Sequence, residues 1–305
     1  MTSELTPSSS VDAFTETDAI LDSIRTLQSR ASAANFVCRI RLPRNRSSAV
    51  AAVCREAAVT HVAIDSLLQL PDLSGLPAVS SILVIRPQAH FELNCLEQFN
   101  SSASLIWTID HFAQAETLVT HRPGTSTVVV IRLQKSVAGI GIRAGMDAAQ
   151  LALGATQLPH VRVQGLLFDS CDSDSALQAA QSTRDRLFES GIGCSDLFVR
   201  LPAYSAPPDG SEATQVIVEA VAAVPADSEP TGGCTAEVIS RPSLTCAVIA
   251  IPEVELVGRS LEFPDLPSTT VMGWCDDSCV IDATGGAARL TIGDVVTVRP
   301  ENSLN

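Results

Sequence analysis

The feature that most constrains this chain is the texture of its apolar runs. NFVCRIRL, THVAIDS, SSILVIRP, ASLIWTI, TVVVIRL, VRVQGLLF and DLFVRLP are nearly continuous in Val, Ile and Leu. A strand with one face in water alternates apolar and polar residues, whereas a strand covered on both faces has no need to. Helix-length stretches separate these runs: AILDSIRTLQSRAS, SSAVAAVCREAA, AHFELNCLEQF, HFAQAETLVTH, RAGMDAAQLALGA and DSALQAAQSTRDRLFES. Ser47–Ser48, Asp110 and Asp172–Asp174 offer N-caps at three of the helix starts. About seven β–α units before residue 225 predict a parallel (β/α)₈-type barrel over residues 1–225. An open doubly wound sheet is the structural alternative.

The pattern changes after VAAVPADSEPTGG, Val221 to Gly233, which has the Pro, Gly and acidic content of a linker. TAEVISRP, TCAVIAIP, TTVMGW, SCVIDA, ARLTI and VVTVRP are short runs between turn residues, and no helix-length periodic stretch remains. Residues 226–305 are therefore expected to form a small β domain.

Charge narrows the classes of partner. Twenty basic residues face 34 acidic ones, a net of −14, which repels nucleic-acid phosphates and anionic lipid. No apolar run approaches the ~20 residues of a membrane helix. The start MTSELTPSSSVDAFTETD lacks the charged and apolar regions of a signal peptide, so a cytoplasmic location is expected. Nine scattered cysteines, most in apolar surroundings, read as free thiols. A single lysine, Lys135, stands beside nineteen arginines.

A parallel barrel followed by a β domain is the layout of fold-type III pyridoxal-phosphate enzymes. Within that class the chain resembles D-threonine aldolase and D-serine dehydratase. Thr6-Pro7 with Val11-Asp12, GIRAGMDAAQLA, VQGLLF and AEVISRP are similar to successive segments of that family. The closing IGDVVTVRPENSLN is the most specific match, a Gly-Asp turn, a strand and a Pro in order. The resemblance implies pyridoxal phosphate as cofactor, a lyase acting on D-β-hydroxy amino acids, and a homodimer. It also implies a lysine on the first barrel strand that binds the cofactor aldehyde as an imine, making it an electron sink.

That lysine is absent. Two alignments of CRIRLPRNRSS place its position at Pro43, with the family's later lysine at Arg46, or at Arg39. A guanidinium stays protonated and forms no imine. The arginine before the Gly-Ile pair falls on Gly139, and Phe168 stands near the position of a tyrosine. The phosphate turn reads AYSAPPDG with Gly210 late, and the zinc-binding His and Cys fall on Asn302 and Leu304. The leading reading is a catalytically degenerate homologue. An active lyase using Lys135 and a small-anion binding or regulatory protein are the alternatives. For the last, Arg39, Arg41 and Arg44 form the candidate anion site. His111, after a strand end, is a candidate acid–base group, and Cys275 and Cys279 are the one close cysteine pair.

Overall fold

The computed structural model describes residues 10–33, 36–44, 47–73, 76–99, 101–134, 140–169, 174–201, 214–219, 233–275 and 278–301. Eight parallel strands close a barrel: β1 (Val37–Leu42), β2 (His61–Ile64), β3 (Ser81–Val84), β4 (Ser104–Ile109), β5 (Thr127–Arg132), β6 (Val161–Asp169), β7 (Asp196–Arg200) and β8 (Gln215–Glu219). Consecutive strands pair, and β8 returns to β1 with Arg41 opposite Glu219. Closure removes both sheet edges and rules out the open doubly wound sheet.

Helices cover the outside. They are α1 (Ser10–Ala33), α2 (Ser47–Glu56), α3 (Leu70–Leu73), α4 (His90–Leu93), α5 (Phe112–His121), α6 (Met146–Gln157) and α7 (Asp174–Glu189). The outward residues of the strands, among them Ile40, Val62, Val84, Trp107 and Leu166, share a core with Ile24 of α1, Val50 of α2 and Ala152 of α6. This two-sided burial is why the strand runs do not alternate.

Inside the barrel the side chains lie in layers, as a filled eight-stranded barrel requires. Ala63, Leu83, Ile106, Val130, Leu167, Phe198 and Ile217 make a dry middle layer. Polar residues lie below it, at the strand starts, and charged ones above, at the strand ends. Gly165 makes the middle layer possible. It is in register with Asp196, and a Cβ there would sit 2.3 Å from the Asp196 carbonyl oxygen and 2.8 Å from the Phe198 ring.

The second unit is a six-stranded antiparallel sheet in the order β11-β14-β9-β10-β13-β12. Its strands are β9 (Cys234–Ser243), β10 (Cys246–Ala250), β11 (Leu261–Glu262), β12 (Val271–Cys275), β13 (Ser278–Asp282) and β14 (Val295–Pro300). Both β8 and β11 escaped the sequence reading, and ARLTI is not a strand. Gly285–Arg289 winds as a 3₁₀ turn, and the Asp294 carboxylate ties back to the Thr291 N–H at 2.7 Å. Gly293, at φ +96°, and Asp294 make the turn into β14. AHFELNCLEQF is a single helical turn followed by a 3₁₀ stretch rather than one helix. The boundary expected near residue 225 and most of the linker lie outside the described residues. No described helix is long and apolar enough to cross a membrane.

Gly165→Ala is expected to destabilise the barrel by at least about 1–3 kcal/mol, the usual cost of overpacking. The nearest clash is with backbone, which cannot rotate away. Urea unfolding of the variant against the parent measures the effect.

Candidate functional site

Every barrel strand carries a charged residue within two positions of its carboxyl end, and the signs alternate around the ring. In strand order these are Arg41, Asp65, Arg86, Asp110, Arg132, Asp169, Arg200 and Glu219. All lie at the carboxyl ends of the strands, the face on which barrel chemistry is built. With four arginines and four carboxylates, the ring is neutral by itself.

Contacts follow the alternation. Arg41 grips Asp65 with two hydrogen bonds, Nε to Oδ1 and Nη2 to Oδ2, each 2.9 Å, and its Nη1 meets Glu219. Glu219 also receives Arg200 at 3.2 Å, and Arg200 approaches Asp169 at 3.9 Å. Asp169 binds Arg132 at 3.1 Å. Arg86 instead turns to Glu92, holding both its oxygens at 3.0 and 2.8 Å. Glu92 accepts further from the Ser66 hydroxyl and the Ala89 N–H. The pair Arg86–Glu92 is essentially without solvent contact, with side chains 1% and 0% exposed.

Asp110 is the anchor of the β domain on this face. Its carboxylate accepts from the Ser240 hydroxyl at 2.7 Å, from Gln114 Nε2 at 2.7 Å and from the Gly141 N–H at 2.9 Å. Gln114 donates its other proton to the Ile239 carbonyl. Burial pushes the Asp110 carboxyl above the ordinary carboxylate range, against the three hydrogen bonds and the Arg132 charge. Beside it, Glu237 of β9 receives the His90 N–H and ring, and Ala89 and Ile140 pack on Ile239, Val248, Ala250 and Val280. Cys275 places its sulfur 3.6 Å from Arg132 Nη2.

The three arginines proposed as one anion site do not converge. Arg41 is saturated within the ring. Arg44 donates to the carbonyls of Ile251 and Pro252 and so faces the β domain. Arg39 points to the opposite end of the barrel, toward Gln215 and Ser81, the first residues of β8 and β3. Alternation along β1 and the short spacing explain this, because Arg39 and Arg41 share a face but reach different layers.

His111 is an exposed N-cap, its Nδ1 accepting from the Ala113 N–H, and Asp110 is freed from capping to face the mouth. Phe168 packs outward into the helix-side core, leaving the next residue, Asp169, at the mouth. Cys279 is buried in the β-domain core, on a different partner set from Cys275. Lys135, Arg46, Gly139, Gly210, Asn302 and Leu304 lie outside the described residues.

Asp65, Arg132, Asp169, Arg200 and Glu219 were not singled out from sequence, and Asp110 was read only as a helix N-cap, the place that His111 takes. The signal was present, since each closes an apolar run: VAI-Asp, WTI-Asp, VVI-Arg, LLF-Asp, LFV-Arg and VIV-Glu.

The mouth does not fit pyridoxal phosphate held through the first strand. The inward residue of β1 nearest the mouth is Arg41, which has no primary amine, and its nitrogens are engaged by Asp65 and Glu219.

No protein-family model matches the sequence, and no curated protein matches it. Solved structures do match the fold. A D-threonine aldolase from Filomicrobium marinum superposes with a TM-score of 0.56 at 17% identity, over 93% of this chain and 84% of that one. An alanine racemase from Clostridium difficile 630, in complex with cycloserine, gives 0.56 at 12% identity, over 94% and 85%. A D-threo-3-hydroxyaspartate dehydratase H351A mutant gives 0.51 at 17%, over 93% and 85%.

Two outcomes are expected. Arg41→Met removes the cation that bridges Asp65 and Glu219, and should cost about 3–5 kcal/mol in denaturant unfolding. Asp65→Asn and Glu219→Gln added to it should recover part of that loss. The second concerns pH. A carboxyl whose folded pKa is raised contributes stability that is fully present below its ordinary range and is lost as pH rises through the folded value. The unfolding free energy of Asp110→Asn relative to wild type should therefore shift in favour of the variant as pH rises from 3 to 7, measured by urea titration at each pH.

Proposed function

We propose that this chain, which has the barrel-and-sheet fold of D-threonine aldolase and alanine racemase, is a degenerate relative of those pyridoxal-phosphate enzymes. Its mouth serves assembly and binding rather than lysine-dependent catalysis. The observation that carries this reading is Arg41. The inward position at the end of the first strand holds a guanidinium bound on two sides by carboxylates, and such a group forms no imine.

A second point supports the reading. A cofactor phosphate needs uncompensated positive charge or free backbone N–H groups. Arg41, Arg132 and Arg200 are each matched to a neighbouring carboxylate, and Arg86 is matched to Glu92. Opening any one of them to a phosphate would take a cation from a carboxylate that is buried or half-buried.

The test uses the full chain. After incubation with pyridoxal phosphate and reduction with borohydride, peptide masses should show no stoichiometric adduct on Lys135. The absorbance of the mixture should remain that of the free cofactor. A one-to-one adduct on Lys135, abolished by Lys135→Ala, would overturn the reading and establish an active-lyase candidate instead.

A further inference from the structure

The end of the barrel opposite the ring holds a polar constellation that the mouth does not use. Its centre is Arg39, 2% exposed. Nε donates to Gln215 Oε1 at 2.7 Å and Nη1 to Ser81 Oγ at 2.9 Å, and the guanidinium lies 5.7 Å from the Phe198 ring centre. Among the described residues Nη2 has no acceptor, and no carboxylate lies within ion-pair distance. The carboxylate that acts on Arg39 is Asp196, at one remove. Asp196 Oδ2 is taken by the amides of Gln164 at 2.7 Å and Gln215 at 2.8 Å. Burial pulls the Arg39 pKa down to about 10, and Asp196 opposes it only in part. Every ring arginine has a carboxylate in contact; Arg39 alone among the buried barrel arginines does not.

The neighbours supply a second donor. Ser81 Oγ accepts from Arg39 Nη1, which leaves its own proton available to His61 Nδ1, 2.8 Å away. In that arrangement neutral His61 carries its proton on Nε2, as a donor, and among the described residues Nε2 has no partner. His61 lies on β2 beside Arg39, since Ile40 and Val62 are in register. Burial and the Arg39 charge hold its pKa below the usual value. His61 and Ser81 are half-buried and Ser104, the first residue of β4, is exposed, so this end opens to solvent.

We propose that this cluster binds a small tetrahedral oxyanion, a phosphate or a phosphate monoester, through Arg39 Nη2 and His61 Nε2. A buried guanidinium lacking a carboxylate is costly, and an anion there returns the missing partner. The net charge of −14 offers no long-range attraction, so affinity comes from local donors and competes with simple salts.

The experiment follows the His61 ring by NMR in the native protein. Inorganic phosphate, glycerol phosphate and, as control, sodium chloride are titrated at constant ionic strength. Saturable His61 shifts with phosphate, accompanied by a rise in the His61 pKa, are expected, because a bound anion favours the imidazolium. A response to inorganic phosphate alone identifies the free ion as ligand, and a matching or stronger one to glycerol phosphate identifies the ester. Arg39→Gln should abolish saturation, Arg39→Lys should keep a weaker response, and His61→Gln should weaken the phosphate-dependent rise in melting temperature. Shifts that do not saturate, or that chloride reproduces, would overturn the proposal and leave Arg39 hydrated only.

Discussion

Alternating charge at the carboxyl ends of the barrel strands is the interaction on which the rest of this molecule depends. Arg41 binds the acids that follow β2 and end β8, and the sequence of contacts continues through Arg200 and Asp169 to Arg132. A charge of this kind cannot be left bare at a largely buried mouth, since removing one member strands its neighbours. From β5 through β8 to β1 and β2, neighbouring strands are therefore tied through these side chains as well as through their backbones. The β domain is docked on the same face, with Asp110 bridging Gly141, Gln114 and Ser240.

How far this could be read from sequence differs by level. Seven of eight barrel strands were legible because two-sided burial writes itself as unbroken Val, Ile and Leu. β8 was not, because QVIVE runs on into AVAAV, and alanine and valine in series suit a helix as well as a strand. ARLTI has strand-like residues, but the preceding Gly-Gly-Ala-Ala and the Thr291–Asp294 tie impose turns. β11 spans two residues, too few to make a pattern.

The site was less legible than the fold. The arginines of the first strand drew attention because they cluster in sequence, yet neighbours two apart on a barrel strand serve different layers. Arg39 belongs to the lower polar layer and Arg41 to the ring. The ring members lie tens of residues apart, and only closure of the barrel makes neighbours of them. The sequence did hold the trace of the ring, one charged residue at or beside the end of each apolar run. Its alternation acquires meaning only once strand order is known.

Parity gives the ring a further property. An alternating sequence of two signs can close on itself without a like-charged pair only when the number of members is even. Eight strands meet that condition, and Arg41 of the first strand faces Glu219 of the last across the seam. A barrel that closed one strand short would bring Arg41 against Arg200, two cations in a mouth with little water to screen them. The charges thus count the strands: a mispaired barrel is penalised at its seam before any side-chain packing is tested, and the chain carries its own check on topological closure.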